Sequence, residues 1–188
     1  MTHPRARALA FALLAALLPW ARGAAAQETV VYVVRHAERA SADAASPLSE
    51  PGRERARELA RLLGDAPLSS VLSTDTRRTR ETAAAVADGR GLTVELYDAQ
   101  EPAAVVARVR AAPGHHLLVG HSNTVPELVR LLGGEPGGPI ADDEYDRLYV
   151  VVPLTGGERS ASALLRFGRE SAGKPGGLLE VAGHQGGG

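Results

Sequence analysis

The stretch TVVYVVR at residues 29–35 is an unbroken run of β-branched and aromatic side chains that ends in one arginine. Because no polar residue alternates within it, the run is typical of a strand covered on both faces. We therefore expect it near the centre of a sheet. The residues that follow, His36, Ala37 and Glu38, would lie at the strand's carboxyl end, where open α/β sheets bind their ligands.

Beyond this strand, helical and extended patterns alternate along the chain. Alternation of this kind predicts parallel strands connected by helices, and the last two strands follow each other closely enough to form a hairpin. We predict an α/β fold, a three-layer sandwich with a mainly parallel sheet, helices on both faces and an antiparallel C-terminal hairpin. The expected helices span residues 48–64, 74–87, 102–112 and 125–132, and the expected strands 69–73, 92–97, 117–120, 145–154 and 160–167.

Composition excludes several classes of protein. The chain has 188 residues with 44% hydrophobic and 23% charged residues, which is ordinary for a globular protein. It contains no cysteine, so disulfides and cysteine-ligated metal sites are excluded. The formal net charge of -1 provides no broad basic face, and we therefore expect no nucleic-acid partner.

The N-terminus has the three parts of a secretory signal peptide. Arg5 and Arg7 precede an apolar run at 8–18, and small residues at 24–26 offer a cleavage site. The apolar run is shorter than the roughly 20 residues that cross a bilayer as a helix. We expect residues 1–26 to be a signal peptide, residues 27–168 to be one domain and residues 169–188 to be a flexible tail. The mature protein would then be exported, periplasmic or extracellular, without stable membrane insertion.

Basic side chains follow several of the expected strands at the same edge of the sheet. Arg35 and His36 end the first strand, Arg77, Arg78 and Arg80 follow the second, and His121 follows a later buried strand. Arginine presents a fork of donors that matches phosphate oxygens. A histidine among arginines is disfavoured in its charged form, so its neutral imidazole stays available as a nucleophile that attacks phosphorus. This chemistry requires no metal.

Four motifs carry a resemblance to a known family. They are RHAE at 35–38, PLSEPGRERA at 47–56, STDTRRTRETA at 73–83 and VGHSN at 119–123. In order and spacing they resemble the histidine phosphatase superfamily, branch 1, whose members are phosphoglycerate mutase-like. The likeness covers nearly the whole expected domain. Each motif alone is a weak signal, but the four motifs in this order form a strong one.

The resemblance implies a catalytic quartet. His36 would be the nucleophile that forms a phosphohistidine, with Arg35 beside it. Arg78 would bind phosphate, because it lies four residues before the threonine of the TA pair, and Arg77 and Arg80 are second choices. The residue that holds and polarises the phosphoryl group would be His121.

The general acid is less defined by the sequence. A carboxylic acid must reach the leaving oxygen to protonate it, and Glu101 and Asp98 are the local candidates. Glu101 is slightly preferred, since it precedes a helix start and Asp98 has an alternative role in capping the turn. A third alternative leaves the role vacant, as in compact family members that act on good leaving groups.

Three further residues are candidates for substrate binding. Glu38 would orient Arg35 or contact a substrate hydroxyl, with a purely structural role against a basic residue as an equal alternative. Ser122 and Asn123 would contact substrate or cap the following helix. We expect no cofactor and no metal. His115 and His116 lack a carboxylate at ligand spacing. The acidic loop of Asp142, Asp143, Glu144 and Asp146 is expected to be solvated, with binding of a cation or repulsion of anionic competitors as alternatives.

These observations predict an exported, metal-independent phosphatase that hydrolyses phosphomonoesters through a phosphohistidine on His36. Its partner would be a small phosphorylated substrate or a phosphoprotein. One alternative is a catalytically weak phosphate-binding or regulatory module that retains the quartet but lacks an acid. The other is a phosphohistidine protein phosphatase.

Overall fold

The computed structural model describes residues 28–154 and 160–171. Six strands and four α-helices are present in this part of the chain. The strands are β1 (Thr29–Arg35), β2 (Leu68–Ser73), β3 (Val94–Leu96), β4 (Gly114–Gly120), β5 (Arg147–Val152) and β6 (Ala161–Arg166), and the helices are α1 (Glu50–Leu62), α2 (Arg77–Ala87), α3 (Pro102–Ala111) and α4 (Thr124–Leu131).

The six strands form one sheet in the order β3-β2-β4-β1-β5-β6. β1 lies inside it, parallel to β4 and antiparallel to β5, so its predicted central position is confirmed. β2 is parallel to both β3 and β4. The last two strands, β5 and β6, form the predicted antiparallel pair. Because β1, β2 and β4 run parallel, the residues after each of them meet at one edge of the sheet.

Helices cover both faces of the sheet, as predicted. Side chains of α3 and α4 pack on one face against Val31 and Val33 of β1. Side chains of α1 and α2 pack on the other face against Val34 and the neighbouring strands. Since successive side chains of a strand point to opposite faces, the continuous apolar run of β1 supplies both cores. Burial of such aliphatic side chains is the main stabilising term of the fold.

Several boundaries differ from the predicted ones. β4 begins at Gly114, because His115 and His116 pair with both β1 and β2. His116 is buried, and its ring nitrogens contact Ser70 Oγ at 2.8 Å and the Ala112 carbonyl oxygen at 2.7 Å. Polar residues therefore extend this strand where the sequence suggested a loop.

Helix α2 also starts later than predicted, at Arg77. Thr76 is its N-cap, and its side chain accepts from the Thr79 N–H. The Thr79 side chain in turn accepts a hydrogen bond from the Thr76 backbone N–H, which completes a capping box. This cap fixes which residues of the first turn face the sheet edge.

One glycine allows a close approach between α1 and the chain after β1. A Cβ atom placed on Gly52 would lie 2.2 Å from the Glu38 carbonyl oxygen. The glycine of the PLSEPGRERA motif therefore lets α1 pack directly on the backbone that follows His36.

Two predicted segments fall outside the described residues. These are the signal peptide at 1–26 and most of the C-terminal tail, from 172 onward. Within the described residues, no helix combines the length and apolar character needed to cross a bilayer.

Candidate active site

Four predicted side chains meet at the carboxyl edge of the parallel strands. Arg35 and His36 come from the end of β1, Arg78 from the first turn of α2, and His121 from the residue after β4. Together they line a cleft of about 330 Å³. The same cleft is also lined by Arg39, Ser122, Asn123 and Asp142.

The imidazole of His36 is held in one orientation by contacts at both nitrogens. Its Nδ1 lies 2.7 Å from the Ala37 carbonyl oxygen, which can only accept, so Nδ1 carries the proton. Its Nε2 accepts from the Arg78 Nε–H at 3.1 Å. The Nε2 lone pair therefore points towards the cleft and the arginine, which is the arrangement required of a nitrogen nucleophile.

Both histidines of the site favour the neutral form. Burial, together with the nearby Arg35, Arg78 and His121, lowers the pKa of His36 to about 3, although the bond to Ala37 opposes this shift. Burial, followed by Arg78 and Arg35, lowers the pKa of His121 to about 4. At neutral pH both imidazoles are uncharged and His36 retains its lone pair.

Arg78 connects the two histidines. Its Nη1 donates to the Ala44 carbonyl oxygen at 2.8 Å, and its Nη2 lies 3.5 Å from His121 Nδ1. The other arginines of this helix point away. Arg77 pairs with Glu81 at 2.8 Å and Arg80 lies 3.4 Å from Asp75, both with more than half of their side chains exposed.

His121 is oriented by a chain of hydroxyl groups. The buried Thr74 donates from Oγ1 to Thr79, and the same oxygen lies 3.0 Å from His121 Nε2. Nε2 is then the donor in this contact, which leaves the Nδ1 lone pair facing Arg78. The two rings of His36 and His121 lie edge to face with centroids 5.3 Å apart.

Arg35 is buried and fixed from one side. Its Nη1 donates to the carbonyl oxygens of Ala141 at 2.7 Å and Glu144 at 2.9 Å, and its guanidinium lies 4.1 Å from the centroid of the Tyr145 ring. Its Nε is buried and has no hydrogen-bond partner among the described residues. Since an unsatisfied buried donor costs about 1–3 kcal/mol, an anion that accepts from it would be stabilised.

This arrangement suits transfer of a phosphoryl group. Such a transfer needs an in-line nucleophile and donors aimed at the charge on the phosphoryl oxygens. The neutral His36 provides the lone pair, and two guanidinium groups lie beside it. Within residues 28–154 and 160–171, no group of three or more histidine or acidic residues is placed to hold a metal ion.

The two candidates for the general acid occupy different places. Asp98 lines a second cleft of about 470 Å³ that borders His121 and also includes Thr74, Leu96 and Tyr97. One of its oxygens accepts from the Gln100 N–H at 2.8 Å, as in a turn cap. Glu101 precedes α3 without making a side-chain cap, and neither cleft is lined by it.

Glu38 lies away from the cleft, against α1. Its carboxylate accepts from Arg55 Nε at 3.0 Å and from Arg55 Nη2 at 2.8 Å. Arg55 in turn donates to the carbonyl oxygens of Phe167 and Arg169. The placement fits the structural alternative rather than a contact with Arg35 or substrate. Ser122 and Asn123, in contrast, do line the cleft.

The expectation that the whole acidic loop is solvated is wrong for two of its members. Glu144 and Asp146 are only 4% and 7% exposed, because Arg147 and Arg166 pair with them. Asp142 and Asp143 remain exposed, and Asp142 lines the cleft. The sequence did not reveal these pairs, since the partners come from β5 and β6.

Sequence reasoning also missed other residues of the site. Thr74 orients His121, Arg39 lines the cleft, and Tyr145 lies against Arg35. Thr74 and Arg39 each lie within or directly after a motif, so their positions beside the quartet were a usable signal. No sequence signal pointed to Tyr145, because it reaches Arg35 only when β5, which follows it, pairs with β1.

The family model for the histidine phosphatase superfamily, branch 1, matches residues 31–100. This span runs from β1 to the loop between β3 and α3, and it includes Arg35, His36 and Arg78. No curated protein matches the sequence at a significant level.

Solved structures share the fold at low sequence identity. A candidate phosphohistidine phosphatase SixA from Agrobacterium tumefaciens is 23% identical, with a TM-score of 0.57 over 76% of this chain and 99% of that one. The protein histidine phosphatase SixA complexed with tungstate is 22% identical, with a TM-score of 0.54 over 65% of this chain and 87% of that one.

A mycobacterial glucosyl-3-phosphoglycerate phosphatase is 16% identical, with a TM-score of 0.54 over 65% of this chain and 90% of that one. At these identities the likeness is one of fold. The matched family model covers three of the four sequence motifs. The chain therefore shares its fold with these phosphatases, and its residues 31–100 match the model of branch 1 of the histidine phosphatase superfamily.

Proposed function

We propose that this protein is a metal-independent phosphatase that hydrolyses phosphomonoesters through a phosphohistidine on His36. One observation carries the proposal. The Nε2 lone pair of a neutral, buried histidine faces a cleft lined by Arg35 and Arg78, and the Nδ1 proton is held by a backbone carbonyl oxygen. A nucleophile and its electrostatic partners are thus in place before substrate arrives.

In the first step, Nε2 attacks phosphorus while the bond from phosphorus to the ester oxygen breaks. The Arg78 Nε–H that contacts Nε2 turns to a phosphoryl oxygen, and the buried Arg35 Nε gains its missing acceptor. As the imidazole becomes positively charged, its Nδ1–H bond to Ala37 strengthens. The leaving oxygen takes a proton from a carboxylic acid or departs as an anion where it is a good leaving group.

In the second step, a water molecule attacks phosphorus and the phosphorus–nitrogen bond breaks. Nε2 regains its lone pair, inorganic phosphate is released, and a proton of the water passes to the carboxylate that acted as the acid. The same group thus serves in both steps, as microscopic reversibility requires for related transfers.

Asp98 is the better candidate for this carboxylic acid. It lines the cleft next to His121, whereas Glu101 lines neither cleft. A leaving group that extends from the phosphate into this second cleft would pass the Asp98 carboxylate. We therefore place Asp98 ahead of Glu101, which reverses the preference drawn from the sequence.

Export remains part of the proposal and rests on the signal-peptide pattern at residues 1–26. The mature protein would meet small phosphorylated substrates or phosphoproteins, and its near-neutral charge argues against nucleic acid. Fractionation of cells that express the full chain, with N-terminal sequencing of the product, tests this part. A product that begins at Met1 and stays in the cytosol would refute it.

A phosphohistidine protein phosphatase is the second candidate. The fold is shared with structures named SixA, and the imidazole of a phosphohistidine is a good leaving group that needs little help from an acid. Transfer of phosphate from a phosphohistidine peptide, compared with release from an alkyl phosphate, separates the two reactions. A catalytically weak binding module would bind phosphate and release it from neither.

The reaction class is tested with p-nitrophenyl phosphate and the purified protein, in the presence of a chelator. We expect phosphate release by the wild type and a loss of at least about 10³-fold in His36→Ala. A radiolabelled substrate should leave acid-labile label on the wild type and none on His36→Ala. Equal activity of the variant would eliminate His36 as nucleophile.

A further inference from the structure

A cluster of ion pairs centred on the buried Glu144 contacts the loop next to Arg35, and none of its members lines the cleft that contains His36. The Glu144 carboxylate accepts from Arg147 Nε at 2.7 Å and Nη2 at 2.8 Å, and from Arg166 Nη1 at 2.6 Å. Arg166 also contacts Asp146. Because Arg147 and Arg166 belong to β5 and β6, these pairs attach the loop at 141–146 to the antiparallel edge of the sheet.

The loop held in this way is the one that fixes Arg35. Glu144 accepts the Ala141 N–H on its carboxylate at 3.2 Å and donates its own N–H to the Ala141 carbonyl oxygen at 3.0 Å. The carbonyl oxygens of the same two residues are the acceptors for Arg35 Nη1. The side chain of Glu144 thus shapes the turn whose backbone receives the guanidinium.

The adjacent residue completes the contact. Tyr145 follows Glu144 directly and lies 4.1 Å from the Arg35 guanidinium and 5.9 Å, between ring centroids, from His36. Arg147 adds further bonds to the carbonyl oxygens of Gly138 and Pro139, so the loop is held over several residues. Only one terminal nitrogen of Arg35 is used by the loop carbonyls, and Arg35 Nε stays free of partners among the described residues.

We propose that Glu144 is a positioning residue, which, with Arg147 and Arg166, fixes the Arg35 guanidinium so that its remaining N–H groups face the phosphate. This inference rests on the proposed function, because it assigns Arg35 to phosphate binding. It gives the C-terminal hairpin a role in the site, although no residue of β5 or β6 lines the cleft. Preorganised donors stabilise charge better than mobile ones, since they need no reorganisation when the charge arrives.

A double-mutant cycle tests the proposal. Glu144→Gln preserves the shape of the side chain and removes the charge that holds both arginines. We expect it to raise the KM for p-nitrophenyl phosphate and the dissociation constant for inorganic phosphate by about tenfold, with a smaller change in kcat. In the Arg35→Ala background, Glu144→Gln should change neither quantity by more than about twofold, because the group it positions is gone.

The controls address folding and charge. Arg166→Gln removes the pairs of Arg166 with Glu144 and Asp146 at a side chain that is about one-third exposed. It should therefore fold even where Glu144→Gln does not, and it should raise the KM and the dissociation constant in the same way by a smaller factor. Glu127→Gln removes a glutamate from an exposed pair with Arg130 and should match the wild type. The proposal would be overturned if the fold-changes of Glu144→Gln and Arg35→Ala in phosphate dissociation constant simply multiplied in the double variant. It would also be overturned if both Glu144→Gln and Arg166→Gln bound phosphate as tightly as the wild type.

Phosphate binding is measured by calorimetry on the resting protein and does not require turnover. A wild type that binds phosphate but hydrolyses no ester would contradict the proposed function. The double-mutant cycle measured by phosphate binding would still decide whether Glu144 positions Arg35. If the wild type is active but the fold-changes of Glu144→Gln and Arg35→Ala multiply in the double variant, only the positioning role of Glu144 is contradicted.

Discussion

Arg78 donates its Nε–H to Nε2 of His36 across 3.1 Å. The same nitrogen of His36 is the one expected to attack phosphorus, so the arginine occupies the lone pair in the resting protein. A phosphate that enters must replace this contact, and the donor then faces the phosphoryl oxygens. The pair thus links binding of the anion to release of the nucleophile.

This relationship separates Arg78 from its neighbour on the same helix. Arg78→Ala should lower kcat/KM by about 10²–10³-fold, the usual effect of removing one preorganised donor. Arg80→Ala should change it by less than about threefold, since Arg80 is mostly exposed beside Asp75. Steady-state kinetics on the two variants provides the comparison. A larger loss in Arg80→Ala would show that the helix register assigned to the site is wrong.

The first motif and the register of Arg78 could be predicted from the sequence, because they depend on local spacing. The strand ends of β1 and β4 meet as expected, which brings His36 to His121. Tyr145 and Glu144 could not be predicted, since they reach Arg35 through pairing of strands that are distant in sequence. For Glu38 the sequence left a substrate role and a structural role as equal alternatives, and its ion pair with the buried Arg55 of α1 fits the structural role.

The low histidine pKa values predict a loss of stability in acid. In the unfolded chain each histidine titrates near 6.5, whereas in the folded protein the pKa of His36 is about 3 and that of His121 about 4. Between these limits the unfolded state binds more protons. Stability is therefore complete above about pH 6.5 and falls as the pH drops towards 4.

His36 should contribute on the order of 2 kcal/mol to the loss between pH 7 and pH 5, and the less buried His121 should contribute less because solvent screens it. Urea denaturation at both pH values measures it. His36→Asn should reduce the loss by about half or more, because an amide has no proton to gain and its N–H can still reach the Ala37 carbonyl oxygen. An unchanged pH dependence in that variant would mean that His36 titrates normally in the folded protein.

The position of Asp98 in a cleft that His121 also lines predicts an effect that depends on the leaving group. Asp98→Asn should slow hydrolysis of an alkyl phosphate by about 10²-fold, in the range typical of general acid catalysis. It should affect p-nitrophenyl phosphate by only a few fold, because nitrophenolate leaves without a proton. Glu101→Gln should be nearly neutral for both esters. Equal losses on both esters in Asp98→Asn would argue against its role as the acid.

Metal independence is tested by chelation. No histidine or carboxylate cluster in the described residues is placed to bind a metal ion, and the proposed steps use only side chains and water. Extended treatment with a chelator should leave kcat and KM unchanged within about twofold. Loss of activity that returns with a divalent ion would require a metal ligand set outside the proposed machinery.

The contact between α1 and the backbone after His36 predicts a sharp cost for one added methyl group. Gly52→Ala would place its Cβ 2.2 Å from the Glu38 carbonyl oxygen, so the helix or the Glu38 segment must move. Overpacking of this kind costs about 1–3 kcal/mol of unfolding free energy. Gly89→Ala is a matched control, because nothing lies within 4 Å of its added Cβ.

Urea denaturation compares the two alanine variants, and the kinetics of the folded fraction adds a second test. Since Glu38 lies two residues after His36 and its carboxylate is held by Arg55, displacement of Glu38 should also disturb the nucleophile. Gly52→Ala should therefore lose kcat/KM in its folded fraction, whereas Gly89→Ala should retain it. A Gly52→Ala protein with wild-type stability and activity would show that α1 can shift without moving the backbone next to His36.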